Sequence, residues 1–527
     1  MGTGRRLHRL PLVSWSRRQV PVDTATGRDP HPGYSIADTG CAAGAEITPV
    51  EPDAARTDEG MSAMRSRLPA TDAPTIDDVD HPDPATPVGP PDRLPPSGRA
   101  ALRAGVVGNF IDNVHVFLPL TALTPALATV AGPGVAAATG AIVVIAMMLG
   151  RPVGGVVFGR ISDRLGRTRT TQVAIAGTAG CALLIAAMPT HELLGAGTIA
   201  LILGLRFLGG IFVAGEYSAA IPLAMEWSPP RRRGLMSGLI LSMAPWAQGA
   251  IAFATATLLL VLGPEEYAVW GWRLLFVVGA LLSLGMLLYY RSHVVDAPIT
   301  RRAPTDGDTT PVRGGVRQVL AGRWSGAFRQ AFVMMTGLWL LTNTTVLLLT
   351  ARLGEGGALA ATEVALAMGI ASVAQALAMA LAGHLSTVIG RRRLLTLWGI
   401  AALLLGPPLW WAAVGSGSLA RAALCAALLQ VVTVAAYGPV SAYLSERFPT
   451  AVRSTGYGSA YSLSLVLPAL YPFYLPLLAG ITGPRGSVLL LMVLGAALLI
   501  LGARLGPRLT PADLDGDLDA VALAGER

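Results

Sequence analysis

Twelve long apolar runs constrain this sequence more than any other feature. A helix needs about 20 apolar residues to cross the hydrocarbon core of a bilayer, because each residue adds about 1.5 Å of length. The runs therefore predict an all-α polytopic membrane protein with twelve transmembrane helices. Their approximate spans are 104–130, 135–158, 170–189, 196–226, 234–262, 271–290, 328–350, 360–385, 394–414, 419–445, 455–479 and 486–504.

The charged residues support a membrane location and indicate an orientation. Only 14% of the 527 residues are charged, whereas soluble proteins carry roughly 25%. All 40 basic residues are arginine, and 21 of them lie in alternate short loops, against three (Arg352, Arg421 and Arg485) in the other loops. Arginine-rich loops stay in the cytoplasm. We therefore predict a multi-pass protein in the lipid bilayer of the cell membrane, with both termini cytoplasmic and no nucleic-acid partner.

The apolar runs divide the chain into five segments. Residues 1–100 are rich in Pro, Asp, Thr and Arg without apolar periodicity, which is typical of a disordered segment. Six runs follow in residues 101–291 and six more in 327–505, separated by a polar cytoplasmic loop at 292–326. Residues 506–527 form a polar cytoplasmic tail.

An internal repeat relates the two sets of six runs. The segment GRISDRLGRTR at 159–169 returns 224 residues later as GHLSTVIGRRR at 383–393. A second set, Glu226, Pro229, Arg233 and Gly238, returns 220 residues later as Glu446, Pro449, Arg453 and Gly458. Two motifs that repeat in the same order on equivalent loops predict two six-helix pseudo-repeat halves, with a solute site between them near the membrane midplane.

The first motif resembles the signature of the major facilitator superfamily. That signature lies between the second and third helices and reads Gly159-x-x-x-Asp163-Arg164-x-Gly166-Arg167-x-Arg169 here. Further segments look like the metabolite:proton symporter branch, namely GRPVGGVVFGRISDRLGR, Trp270-Gly271-Trp272-Arg273 and Tyr437-Gly438-Pro439. The resemblance implies the major facilitator fold, alternating access, a small-molecule substrate, protons as the coupling ion, and function as a monomer.

The first helix departs from that branch. The branch has an acidic residue, aromatic residues and then Asp after Gly-Asn, whereas Gly108-Asn109 is followed here by Asp112 and His115. Thr387 also stands where the second-half loop would carry an acid. Substrate and coupling therefore cannot be copied from the branch.

The repeated loops predict a cytoplasmic gate. In the superfamily this loop latches the two halves together, and a carboxylate there can pair with arginine and cap a helix. The alternative is a solvated loop whose arginines serve only topology. The predicted gate residues are Gly159, Asp163, Arg164, Gly166, Arg167, Glu226, Arg233, Arg391, Glu446 and Arg453.

Four ionisable residues fall inside apolar runs. Glu216 and Asp112 lie roughly 12–15 Å from the cytoplasmic face, where an unpaired charge is costly, so we predict that they carry the coupled proton. His115 is three residues from Asp112 and could share a proton relay with it, or simply bond to a carbonyl. Arg206 could bind a substrate carboxylate, close an outer gate on an acid, or extend to the outer interface.

Polar and aromatic residues in several runs are candidates for the solute cavity. Each one alone is as readily explained by packing or by an interhelical hydrogen bond. The candidates are Asn109, Tyr217, Trp246, Gln248, Trp339, Asn343, Gln375, Tyr437 and Tyr461, with Gln430 and Tyr457 as further members of the set.

The function predicted from these residues is secondary active transport, with proton-coupled symport of a metabolite as the leading form. A degraded Gly-Pro motif at 238–249 leaves a proton-driven exporter of a drug-like or biosynthetic product as the alternative. Paired catalytic groups, phosphate-binding loops and metal-ligand spacings do not occur, so we predict no enzyme activity, no cofactor and no metal. A transporter-like sensor would need a large soluble output domain, which the sequence does not suggest.

Overall fold

The computed structural model describes residues 94–132, 136–301, 315–354 and 359–526, which are largely helical. Most of the predicted N-terminal segment and part of the central loop lie outside these residues. The long helices of the first half are α1 (Pro96–Thr121), α2 (Ala136–Leu165), α3 (Arg167–Ala186), α4 (Ala196–Trp227), α5 (Arg233–Leu241 and Met243–Glu266) and α6 (Trp272–His293).

The second half repeats this order. Its helices are α7 (Ser325–Thr342, then a π-helical stretch Asn343–Leu348 and Leu349–Gly354), α8 (Ala361–Ile389), α9 (Arg391–Val414), α10 (Leu419–Thr433, Val434–Tyr437 and Val440–Glu446) and α11 (Arg453–Leu463, Val466–Ala469 and 471–482), followed by α12 (484–505). Two short helices of the tail, α13 (Pro511–Leu514) and α14 (Leu518–Ala524), complete the described chain. Short turns connect the long helices at Thr124–Ala126, Leu127–Ala131, His191–Leu194, Pro230–Arg232, Tyr267–Gly271, Pro298–Arg301 and Val316–Leu320.

Two glycines make sharp turns at equivalent places in the halves. Gly263 and Gly483 have φ values of 79° and 78°, a region that side chains with a Cβ rarely adopt, and each is followed by proline. Gly263 interrupts α5 three residues before its end, and Gly483 separates α11 from α12. The two positions are 220 residues apart, so the repeat extends beyond the motifs recognised in the sequence.

The helices are long and apolar enough to span a bilayer. Nine stretches within the described ranges meet this criterion by length and composition. One of the nine contains both α5 and α6 and another contains the end of α11 with α12, while the more polar α3 is not among them. With these divided and α3 added, the predicted twelve-helix all-α fold is confirmed, although the first predicted span is misplaced.

The first helix begins and ends earlier than its hydropathy predicts. It covers Pro96–Thr121 rather than 104–130. The hydropathy misses the start because Arg99 and Arg103 are exposed there, whereas the small residues between them pack against α6. Pro125 ends the helix because it cannot donate a backbone hydrogen bond. Asp112 is consequently the seventeenth residue of α1, well inside the helix.

Glycines of the repeat bring the two halves into backbone contact. Helix α2 packs on α11, and α5 packs on α8. A Cβ atom on Gly159 would lie 2.8 Å from the carbonyl oxygen of Ser454, and one on Gly383 would meet the backbone of Gly234. Small residues at such contacts let membrane helices approach closely.

Candidate functional site

Asp163 joins the two halves at one end of the bundle, which we call the Asp163 end. Its side chain is buried in the last turn of α2, and its carboxylate accepts hydrogen bonds from the backbone N–H groups of Ser454 (2.9 Å) and Thr455 (2.8 Å). These groups begin α11 of the other half. A carboxylate at a helix N-terminus satisfies unpaired donors and interacts favourably with the helix dipole.

Glu226 at the end of α4 also binds across the halves. Its carboxylate accepts from Arg167 of its own half at 2.9 Å and from Arg453 of the other half at 2.6 Å. Arg167 in turn lies 3.4 Å from Asp163 and donates to the carbonyl oxygen of Thr450. All the side chains of these ion pairs are buried, so the contact is screened little by solvent.

The second half repeats this arrangement. Glu446 at the end of α10 pairs with Arg391 of its own half at 3.0 Å and lies 3.8 Å from Arg233 of the first half. Each glutamate therefore has one arginine from each half. The sequence repeat is the origin of this pseudo-symmetry.

The two sides differ at the position of Asp163. Its counterpart Thr387 is neutral and accepts a hydrogen bond from Arg391 at 3.1 Å. At this pair of equivalent positions, the first half thus supplies a carboxylate that caps a helix of the opposite half, and the second half does not. Arg164, another predicted gate residue, is exposed and makes none of the inter-half contacts found among the described residues.

The C-terminal tail extends this cluster, which the sequence did not indicate. Asp519 of α14 pairs with Arg453 at 2.6 Å and accepts from the backbone N–H of Thr450 at 2.7 Å. Two hydrogen bonds from Arg323 hold the pKa of the Glu526 carboxyl below its ordinary value. The tail thus packs directly onto the contact between the halves.

We expect Asp163→Asn to slow transport by roughly tenfold or more, because hydrogen bonds to an ionised group contribute about 1.5–3 kcal/mol and neutral ones about half of that. The amide keeps the shape but loses the charge that stabilises the closed Asp163 end. Turnover in proteoliposomes measures the effect. Arg164→Gln, one residue away and exposed, is the matched control. Normal turnover of purified, folded Asp163→Asn protein would show that this loop only sets the membrane topology and does not control transport.

Inside the first half, two carboxyl groups lie side by side. Asp112 of α1 and Glu216 of α4 are both buried and within hydrogen-bonding distance of each other. Thr178 of α3 donates to Glu216 at 2.9 Å. Two ionised carboxylates in contact would repel each other strongly in a medium of low dielectric constant.

Arg151 of α2 is a functional candidate that the sequence analysis missed. Its side chain is 5% exposed, and its Nε and Nη2 atoms have no hydrogen-bond partner in the described part of the chain. The guanidinium carbon lies 4.8 Å from the ring centre of Tyr217, 5.6 Å from that of Tyr461 and 5.7 Å from that of Trp339. A single arginine within an apolar run was the sequence feature that could have identified it.

The aromatic rings around Arg151 come from both halves. Tyr217 of α4 lies 5.2 Å from Tyr461 of α11, which lies 5.3 Å from Trp339 of α7. Tyr437 of α10 lies 5.5 Å from Trp339. Four predicted cavity residues are therefore brought together, and we call them with Arg151 the Arg151 cluster. Tyr457 stacks on Tyr461 at its edge.

His115 and Arg206 form a separate group farther from the Asp163 end. His115 Nε2 lies 2.7 Å from Ser283 Oγ of α6, rather than facing Asp112. Arg206 Nη1 donates to the carbonyl oxygen of His115 at 3.0 Å, and Nη2 contacts the Met147 sulfur. The guanidinium is buried, so it does not extend to the interface, and it pairs with no carboxylate among the described residues.

The remaining cavity candidates lie elsewhere. Trp246 is exposed and Gln248 half-buried on α5, whereas Gln430 is buried. The other amides bond to neighbouring atoms: Asn109 to the Ile240 carbonyl (2.6 Å), Asn343 to the Pro468 carbonyl (2.7 Å) and Gln375 to the Met379 sulfur (3.5 Å). Asn109 and Asn343 thus satisfy carbonyl groups near interruptions in α5 and α11.

The twelve-helix fold with polar groups buried between two pseudo-repeated halves defines a secondary transporter. A family model described as Major Facilitator Superfamily matches residues 108–362. This match covers just under half of the chain and agrees with the resemblance of the sequence motifs to the superfamily, and the matched family and the curated relatives are transporters of small solutes, not enzymes.

Curated relatives and solved structures agree with this assignment. The chain is 28% identical over 412 residues to the inner membrane metabolite transport protein YhjE of Escherichia coli, covering 75% of this chain and 89% of that protein. It is 27% identical over 398 residues to the glycine betaine/proline/ectoine/pipecolic acid transporter OusA of Dickeya dadantii, covering 71% and 76%. The proton:xylose symporter XylE has the same fold, with a TM-score of 0.61 at 16% identity over 77% of this chain and 94% of that one.

Proposed function

We propose that this transporter is a proton-coupled symporter of a small organic solute with a carboxylate group, and that Arg151 binds the carboxylate. The observation that carries this proposal is a buried guanidinium with unpartnered nitrogens, held between aromatic rings of both halves. An arginine presents parallel N–H groups that match a carboxylate. A ligand between the halves is also where alternating access needs it.

The aromatic rings suit the rest of a zwitterionic solute. Tyr217, Trp339 and Tyr461 present ring faces that attract a cation and pack against methylene groups. The Arg151 guanidinium lies over these faces. A solute carboxylate that draws the guanidinium away would expose the ring faces to the ammonium group of the same solute. OusA is named for such compounds, which supports a zwitterion of betaine or amino-acid type.

Coupling would arise from the neighbouring acids. Arg151 lies over the ring of Tyr217, and the Tyr217 hydroxyl accepts a hydrogen bond from Asn113, the neighbour of Asp112 in the acid pair. The positive charge of Arg151 favours the ionised form of this pair. A solute carboxylate bound to Arg151 neutralises that charge, so the pair binds a further proton more readily. Solute and proton would then bind together, which is symport.

The contacts at the Asp163 end would alternate with opening on that side. We expect this end to be cytoplasmic, with both termini on the same side, because the arginine-rich loops lie there. The ion pairs of Glu226 and Glu446 join the halves only while this end is closed. They would separate as the two halves rock against each other. We expect a single copy of the chain to be sufficient for this motion, so that the functional unit is a monomer.

The test is uptake into proteoliposomes with an imposed inward proton gradient. Glycine betaine, proline, ectoine and one dicarboxylate are offered as labelled solutes. We expect at least one zwitterion to accumulate, with proton entry, and a protonophore to abolish the accumulation. Protein-free liposomes are the control. Solute uptake that the protonophore does not reduce would refute proton coupling. Exit of solute while protons enter would show that the protein is an exporter instead.

A further inference from the structure

A pocket of about 510 Å³ lies at the end of the bundle opposite Asp163. It is formed by the C-terminal ends of α7 and α9 and by the turn 482–486 between α11 and α12. All its lining residues belong to the second half. It therefore does not lie between the halves and cannot be the alternating solute site.

Several groups that attract an anion line the pocket. Arg352 at the end of α7 and Arg485 at the start of α12 line it. Trp410 lines it as well; this side chain is 1% exposed, and its indole N–H has no hydrogen-bond partner in the part of the chain that the structure describes. The turn at Gly483 starts α12, so the partly positive end of a 22-residue helix (484–505) also faces the pocket.

One border of the pocket is apolar and exposed. Trp411 is 51% exposed beside Trp410, and the Arg485 guanidinium lies 5.0 Å from its ring centre. Ile481 is 82% and Leu477 72% exposed, and the two are four residues apart on one face of α11. In a membrane protein such side chains contact lipid tails.

We propose that this pocket binds the phosphate of an anionic phospholipid headgroup, with the acyl chains lying along Leu477, Ile481 and Trp411. Arginine binds phosphate through several charge-assisted hydrogen bonds, which Arg485 can supply, and the Trp410 N–H supplies another donor. The volume lies in the usual range for ligand pockets. A free phosphate ion would use the arginines but not the apolar border, so the border indicates a lipid as the source of the phosphate.

The experiment measures lipid binding to the full-length protein in detergent by native mass spectrometry. The probes are phosphatidylglycerol, phosphatidylcholine and inorganic phosphate. We expect phosphatidylglycerol to bind best, and Arg485→Gln to weaken its binding by roughly tenfold or more, as expected for a lost charge-assisted contact. Trp410→Phe keeps the ring and removes the N–H, so it should weaken binding by roughly two- to tenfold. Arg421→Gln, an exposed arginine of the same side that does not line the pocket, should bind as wild type.

Three outcomes would overturn the proposal. Unchanged binding of phosphatidylglycerol to the Arg485→Gln protein would show that this pocket is not the lipid site. An equal loss in Arg421→Gln would reduce the effect to general charge attraction. Displacement of phosphatidylglycerol by millimolar inorganic phosphate, with binding of that ion dependent on Arg485, would replace the lipid by free phosphate. Unfolding temperatures of the variants show whether each protein is folded.

Discussion

Arg151→Gln is expected to weaken solute binding by at least roughly 100-fold, because two hydrogen bonds from a charged donor contribute about 1.5–3 kcal/mol each and 1.4 kcal/mol corresponds to tenfold. Glutamine keeps a polar group at the site but loses both the charge and the parallel donors. Arg151→Lys keeps the charge without the planar fork, so we expect an intermediate affinity. Binding of labelled solute to purified protein measures the effect directly.

A second arginine of the same helix provides the control. Arg160 lies nine residues further along α2 and is exposed. Arg160→Gln removes the same charge from the same helix and should bind the solute as wild type does. If Arg151→Gln protein, folded and purified, binds the solute with unchanged affinity, Arg151 is not the carboxylate site and the proposed substrate chemistry loses its basis.

Glu216→Gln is expected to abolish solute accumulation driven by a pH gradient while preserving solute exchange at equal concentrations. The amide imitates the protonated carboxyl permanently, so the pair with Asp112 can no longer release and rebind its proton. Exchange needs only the alternation of the loaded protein, which this variant retains. Proteoliposomes with an imposed pH step measure accumulation, and labelled counterflow measures exchange.

Two further variants serve as controls for Glu216→Gln. Thr178→Val removes the hydrogen bond to Glu216 but keeps the acid, so accumulation should persist. His115→Asn should also remain coupled, because His115 contacts Ser283 and not the acid pair. Accumulation against a gradient by Glu216→Gln would place the coupling group elsewhere, even if exchange were normal.

The sequence by itself predicted the framework of this protein. Hydropathy and helix length depend on neighbouring residues only, so twelve spans could be recognised, with an error at α1 where exposed arginines interrupt a helix that packs by its small residues. The repeats also pointed to residues that join the two halves. Glu226 and Glu446 recur at equivalent positions, and the structure gives each of them an arginine from either half.

Tertiary structure decided which polar groups meet. Asp112 and His115 are three residues apart on one helix, yet one contacts Glu216 of α4 and the other Ser283 of α6, because different helices pack against each part of α1. Arg151 is a single arginine in an apolar run, and a role for it could be inferred only from the aromatic rings that surround it in the structure. Those rings lie on α4, α7 and α11, whose contact arises from packing the halves together, and no local pattern of residues encodes that distance.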